Sequence, residues 1–205
     1  NFPYLPKTLL FLAKHNFAAV RKHLAPPAAT RDADAESLLD FARLEFATGR
    51  TNEARAYYER AIKASDYEYA RLFNVWNTGW GLSDVLTLGL GREAAGDRAR
   101  AARYLEELSA YLDKLERNGQ VWHGLHYLRA DVRAMQGRLD EAFAELEKAQ
   151  RLGWHRSWWP QFDPSLASIR SDPRFSTWLR SVNASNEPLR ARVLSAEPAL
   201  QVSLN

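Results

Sequence analysis

Two histidines, His123 and His126, have the spacing in this chain that most directly suggests chemistry. They lie three residues apart on a predicted helix and so share one face, where two imidazoles could bind a transition metal. Such a site needs further ligands, which Asp131 or His155 would have to supply through folding. Histidines at this spacing are more often surface groups or internally bonded groups. We therefore predict no metal site.

The sequence contains no motif typical of an enzyme. It lacks a glycine-rich phosphate loop, a nucleophile elbow and a His-Glu-x-x-His run. It also has no cysteine, which excludes disulfides, thiolate metal ligands and a cysteine nucleophile. We therefore expect no catalytic residues and no cofactor, and we interpret the protein as a non-enzyme.

Aromatic residues form the other candidate site. Trp76 and Trp80 lie one helical turn apart, and Phe73 precedes Trp76 by three residues. Together with Tyr127 they could line an aromatic pocket for a small ligand. Burial in a hydrophobic core is the more common use of such side chains. Both interpretations stay open at this point.

Composition favours a helical protein without a nucleic-acid or membrane role. The 205 residues carry a net charge of +3 and are 46% hydrophobic, and the modest charge does not require nucleic acid as a partner. Valine and isoleucine are scarce, which argues against a large sheet. No cleavable signal is visible, and the longest apolar run near the start, residues 9–13, is too short to span a bilayer. Cytoplasm and periplasm both remain open as locations, and nothing indicates an oligomeric state.

A repeated spacing of small and apolar residues predicts the helices that position these side chains. Each set has a small residue, a glycine seven positions later, an alanine five after that, and apolar residues four and seven further on. The set occurs three times, as Ala42, Gly49, Ala54, Tyr58 and Ala61, as Gly89, Gly96, Ala101, Leu105 and Leu108, and as Ala130, Gly137, Ala142, Leu146 and Ala149. The glycine ends one helix because it adopts positive φ without steric cost. The small residues let two helices cross closely, so the pattern predicts stacked helix–turn–helix units.

This pattern resembles the tetratricopeptide repeat, a 34-residue pair of antiparallel helices. With Ala35 as the first position, Leu38, Phe41 and Ala42 fall where the family has Trp, Leu and Gly. The resemblance implies one all-α domain, a tetratricopeptide-like α-solenoid of three to four helix–turn–helix repeats with a C-terminal capping segment. Its expected parts are a degenerate repeat over 1–34, repeats over 35–66, 82–115 and 123–153, an insertion over 67–81, a cap over 154–195 and a tail over 196–205.

For function, the resemblance implies a groove that binds a protein or peptide. In the family, partners bind the concave face, which the first helix of each repeat lines. Carried onto this chain, the groove positions are Glu36, Leu39, Arg43, Phe46, Leu86, Leu90, Glu93, Tyr127, Asp131 and Met135. This mixture of apolar and charged groups suits an amphipathic helix or an extended peptide. The open alternative is that the insertions or the C-terminal segment fill the groove.

The sequence changes character after Gly153. Asp163-Pro164 and Asp172-Pro173 each place a capping residue before a proline, which predicts short helices over about 164–170 and 173–182 and another start at Glu187. This segment is expected to cover the last repeat. The run from Trp159 to Phe175 also resembles the C-terminal part of tetratricopeptide regions in bacterial transcriptional regulators and signalling proteins, which implies a docking or sensory role.

Overall fold

Helices account for nearly all of the regular structure. A computed structural model of the chain describes Lys14 and residues 16–22, 35–65 and 80–196, and no strand occurs in these ranges. Residues 17–22 are helical, and the longer helices are α1 (Ala35–Ala47), α2 (Thr51–Ser65), α3 (Trp80–Ala94), α4 (Arg98–Arg117), α5 (His123–Met135), α6 (Leu139–Arg151) and α7 (Pro173–Ala196). A 3₁₀ helix, Pro164–Ile169, precedes α7. The predicted all-α fold class is confirmed.

The first six of these helices form three consecutive pairs, α1 with α2, α3 with α4, and α5 with α6. Glycines with positive φ make the turn within each pair, at 75° for Gly49, 80° for Gly96 and 74° for Gly137. In the first turn the next amide, that of Arg50, donates to the Glu45 carbonyl at 2.8 Å, which satisfies a carbonyl at the end of α1. The three turns that the glycine spacing predicts are therefore confirmed.

Successive pairs pack in chain order. Helix α3 contacts both helices of the first pair, and α5 contacts α3 and α4. The predicted small residues at helix crossings, Ala42, Gly89 and Ala130, are all buried. A Cβ atom at Gly89 would make ordinary contacts, 3.4 Å from Met135 Cε. The tighter approach lies two residues further on, where a Cβ at Gly91 would stand 2.4 Å from the ring of Tyr58 in α2.

The segment after α6 turns back over the pairs. The 3₁₀ helix lies mainly against α5 and also contacts α1 and α3. It therefore crosses the first helix of every pair, and we call the surface formed by α1, α3 and α5 the first-helix face. Leu166 and Ile169 of the 3₁₀ helix are fully buried in a core that also contains Leu146 of α6 and Trp178 of α7. The Trp178 indole N–H donates to the Leu146 carbonyl at 3.2 Å.

The helical residues 17–22 pack against α1. Arg21 forms an ion pair with the buried Glu45 of α1, with 2.8 Å between Nε and Oε1. Val20 joins Leu44 and Phe162 in a small apolar cluster. The beginning of the described chain and its C-terminal segment thus meet beside α1.

Two sequence predictions need correction. The helix expected over 164–170 is a 3₁₀ helix. Helix α7 continues without a break from Pro173 to Ala196 and includes Pro188, where two helices were expected. Residues 183–187 contain no glycine or proline, and Pro188 lies in an exposed stretch, where it removes one amide donor and its ring crowds the carbonyl of Ala184; the helix continues despite this cost. Most of the degenerate repeat over 1–34, residues 67–79 of the insertion and the tail beyond 196 lie outside the described residues.

Replacing Gly91 with alanine is expected to destabilise the protein, because the new methyl group would overlap the buried Tyr58 ring. Overpacking of this kind lowers the free energy of unfolding by about 1–3 kcal/mol. Gly89→Ala in the same helix is the matched control, since it meets only van der Waals contacts and gains helix propensity of up to about 1 kcal/mol. Denaturant unfolding of both variants is the measurement, and equal stabilities would contradict the close approach at Gly91.

Candidate functional site

A buried carboxylate, that of Asp163, lies at the centre of the contact between the C-terminal segment and the first-helix face. Its side chain has no exposed surface. Arg43 of α1 donates from Nη2 to both carboxylate oxygens, at 3.2 and 3.3 Å. The Tyr127 hydroxyl of α5 donates to Oδ2 at 3.2 Å. Asp163 therefore joins the first and third helix pairs through one side chain.

Local backbone structure holds Asp163 in this position. Its Oδ1 accepts the amide of Ser165 at 3.1 Å and so caps the 3₁₀ helix, which Pro164 begins. Arg170 reaches back from the end of that helix and donates to the Asp163 carbonyl oxygen at 2.5 Å. The carboxylate is thus fixed both by its own turn and by the helices beneath it.

Aromatic rings surround this carboxylate. The Tyr127 ring stacks on Trp154 with 3.8 Å between centroids and 7° between planes. The Arg43 guanidinium lies over the Trp159 ring, 5.3 Å from its centroid. Trp159 in turn meets Phe162 edge to face at 4.9 Å. These rings exclude water, which strengthens the bonds among Arg43, Tyr127 and Asp163.

A second carboxylate, that of Asp131, lies one turn beyond Tyr127 on α5. It is also completely buried, and neither of its oxygens has a hydrogen-bond partner. Burial raises the pKa of Asp131 well above its ordinary value, the charge of Asp163 raises it further, and Arg43 lowers it. Burial likewise raises the pKa of Tyr127, with Asp163 and Asp131 adding to the effect. The site therefore contains two neighbouring acids in different environments.

The predicted groove residues are distributed unevenly over this surface. Arg43, Tyr127 and Asp131 come together around Asp163, whereas Leu39 and Leu86 are buried between the helix pairs. Phe46, Leu90 and Met135 keep partial exposure and Glu93 is exposed, while Arg43 keeps a small exposed fraction beside Asp163. Glu36 belongs to α1, but its side chain is not among those that the structure describes. The centre of the predicted groove is thus closed by the C-terminal segment, which is the alternative that the sequence left open.

The predicted aromatic pocket stays a prediction. Trp76 lies outside the described residues, and only the backbone of Trp80 is described, at the start of α3. Tyr127, the third ring assigned to that pocket, is stacked on Trp154 and bonded to Asp163. Its ring is therefore already engaged by the C-terminal segment.

The two histidines that could have formed a metal site have separate partners. His126 Nδ1 lies 2.6 Å from Glu145 Oε2, and Lys148 donates to the other oxygen of Glu145 at 2.8 Å. Burial raises the pKa of Glu145, but the hydrogen bonds from Lys148 and His126 outweigh it, and the net shift is downward. The His123 ring instead packs edge to face on the Trp154 ring, with 5.7 Å between the ring centroids. Within the described ranges, no group of three His, Cys, Asp or Glu side chains could hold a metal ion.

Sequence reasoning identified the helix side of this site but missed Asp163. The Asp-Pro pair indicated only a helix cap. A further signal was available, because Phe162, Leu166 and Ile169 surround the pair with apolar residues, as expected for a buried cap and not for a surface one.

Comparison with known proteins identifies no relative of this chain. The chain matches no protein-family model, no curated protein and no solved structure. Among the helices given above, none is both long and apolar enough to cross a bilayer. What the chain does must therefore be inferred from the geometry of the first-helix face.

The two Asp-Pro pairs provide a matched test of the buried carboxylate. Asp163→Ala removes the fully buried carboxylate that Arg43 and Tyr127 bond, and removing one partner of a buried ion pair costs about 3–5 kcal/mol of unfolding free energy. Asp172→Ala removes a cap at the surface, where Asp172 accepts the Arg174 amide at 2.9 Å, and costs about 1 kcal/mol. Chemical denaturation measures the unfolding free energy of both variants. If Asp163→Ala lowers it no more than Asp172→Ala does, the buried contact is not formed.

Proposed function

We propose that this chain is a helical-repeat scaffold of the tetratricopeptide kind, which binds a segment of another protein on its first-helix face within a bacterial regulatory or signalling protein. One observation carries the proposal: a segment of polypeptide already lies across α1, α3 and α5, and it belongs to the chain itself. It is held by a charged pair, ring contacts and buried apolar side chains. Surfaces that recognise peptides combine the same kinds of contact.

The partner binds beside the chain's own segment and does not replace it. Leu166 and Ile169 are fully buried, and exposing each of them again would cost about 1.5–3 kcal/mol. Asp163 would also have to leave Arg43 and Tyr127. The surface that remains for a partner is the partly exposed set of groove residues, Phe46, Leu90, Glu93 and Met135.

The chemistry of this remaining surface favours an apolar segment that carries a positive charge. Phe46, Leu90 and Met135 offer apolar area, and the exposed Glu93 offers a carboxylate at its edge. Apolar anchors supply most of the affinity in such interfaces, while a charge at the rim mainly affects partner choice and association rate. A short helix or extended peptide with a lysine or arginine beside two apolar residues fits this description.

The burial of the polar cluster supports a binding role over a catalytic one. Asp163, Tyr127 and Asp131 would supply acid–base groups, yet they are sealed beneath the C-terminal segment. A substrate would have to displace that segment before it reached any of them. We therefore attribute to this cluster the closure of the first-helix face.

Selection of peptides from a random library against the full chain tests the proposal, with binding then measured by fluorescence anisotropy. We expect enriched peptides to lose about tenfold in affinity on Leu90→Ala, because a buried apolar anchor contributes more than 1 kcal/mol. Leu152→Ala is the matched control, since Leu152 is 43% exposed and lies just after α6, away from the first-helix face. Circular dichroism melts check that both variants are folded.

Two results would contradict this function. One is a library from which no sequence is enriched. The other is a set of enriched peptides whose affinity falls with Leu152→Ala and not with Leu90→Ala, since that would place binding on the second-helix side of the pairs.

A further inference from the structure

Asp131 has a buried carboxyl group that the hydrogen bonds of the described residues leave without a partner. Its carboxyl group has no exposed surface, and both oxygens lack a hydrogen-bond partner. A buried ionised carboxylate without donors is costly, because the surroundings do not replace its hydration. In native proteins such a group is paired, bound to a cation or uncharged.

The charges nearest to Asp131 do not supply a counter-charge of its own. Arg43 of α1 donates to Asp163, and Arg170 donates to the Asp163 carbonyl oxygen. The Tyr127 hydroxyl, one turn away on α5, also donates to Asp163. Arg43 and Tyr127 therefore both bond to the Asp163 carboxylate, neither oxygen of Asp131 accepts a hydrogen bond, and Asp163 adds a negative charge beside it.

The remaining helices packed on α5 direct their described charges elsewhere. On α4, Asp113 and Glu116 pair with Arg129, with distances of 2.6 and 2.5 Å. On α6, Glu145 binds His126 and Lys148, and Glu141 lies 3.4 Å from Arg133. On α3, Arg92 lies over the Tyr58 ring and near Asp97, and Glu93 is exposed. None of these described contacts reaches Asp131.

A metal ion does not fit the position. Two carboxylates are too few ligands for a stable protein site, and no group of three or more metal-binding side chains occurs among the described residues. The ligand that one buried carboxylate can hold without further donors is a proton. Protonation removes the charge of Asp131 and its repulsion with Asp163 together.

We propose that Asp131 binds a proton when the C-terminal segment docks on the first-helix face, so that docking weakens as the pH rises. The segment itself creates this proton site. It bonds to the Tyr127 hydroxyl and to the Ala134 carbonyl, about one turn to either side of Asp131 on α5, and so covers Asp131 and places Asp163 beside it. When the segment is undocked, Asp131 faces solvent without that neighbour and behaves as an ordinary aspartate.

The sign of the pH dependence follows from linkage. Burial and Asp163 raise the pKa of Asp131 in the docked state above its ordinary value, which is about 3.9. The docked state therefore binds more protons than the undocked state. The contribution of protonated Asp131 to docking of the segment is fully present below about pH 3.9 and is lost as the pH rises through the pKa of Asp131 in the docked state. Between those two values, the docking equilibrium weakens by up to about tenfold per pH unit.

Hydrogen exchange of the full chain between pH 5 and 8 tests the proposal. The amides of Ser165 and Leu166 bond to Asp163, so their protection reports docking of the segment. After correction for intrinsic exchange, we expect wild-type protection to fall by up to about tenfold per pH unit. Asp131→Asn cannot ionise and should keep its protection over this range. Asp140→Asn is the control, since Asp140 is 91% exposed, and it should behave as the wild type.

Carboxyl carbon-13 NMR of the wild-type chain provides a second measurement that needs no variant to fold. Assignment through the Asp131 backbone identifies the resonance, and its position should remain that of a protonated acid as the pH rises past the ordinary aspartate pKa of about 3.9. A resonance that titrates near pH 4 would overturn the proposal. So would equal pH dependence of protection in wild type and Asp131→Asn.

Discussion

The contact among Asp163, Arg43 and Tyr127 is the constraint on which the arrangement of this chain depends. A buried ion pair gains little over an apolar contact, because desolvation offsets most of its Coulomb attraction. Its effect is on specificity, since the buried carboxylate is satisfied only where the guanidinium of α1 and the hydroxyl of α5 converge. Leu166 and Ile169 supply the apolar burial, and Asp163 fixes the register in which they are buried.

Local signals in the sequence predicted the helix pairs well. Gly49, Gly96 and Gly137 marked the turns because positive φ is a property of the residue itself, and small residues at fixed spacing marked buried helix faces. The passage of α7 through Pro188 was missed, because an internal proline usually ends or kinks a helix. The 3₁₀ geometry of Pro164–Ile169 had no signal in residue types.

The candidate site was only half predictable, for a physical reason. The resemblance to the tetratricopeptide repeat implied Arg43, Tyr127 and Asp131 as positions on one surface, and Tyr127 and Asp131 are four residues apart on one helix, a spacing that is visible in the sequence. Their common neighbour, Asp163, lies 120 residues from Arg43, and no local rule connects the two. The burial of Asp131 without a hydrogen-bond partner depends on the same long-range contact, so it could not be predicted from the sequence either. One surface thus provides both closure of the fold and the proposed partner site, so substitutions that loosen the segment are expected to affect both.

The sequence separation within that contact has a consequence for synthesis. Helix pairs need only neighbouring residues, so they can form as the chain leaves the ribosome, N-terminal part first. The ribosome adds about 5–20 residues per second, so the 120 residues between Arg43 and Asp163 take roughly 6–24 s to make. During that interval α1, and then α3 and α5, present apolar surface without their cover. The nascent chain therefore exposes this apolar surface until its last third has been synthesised.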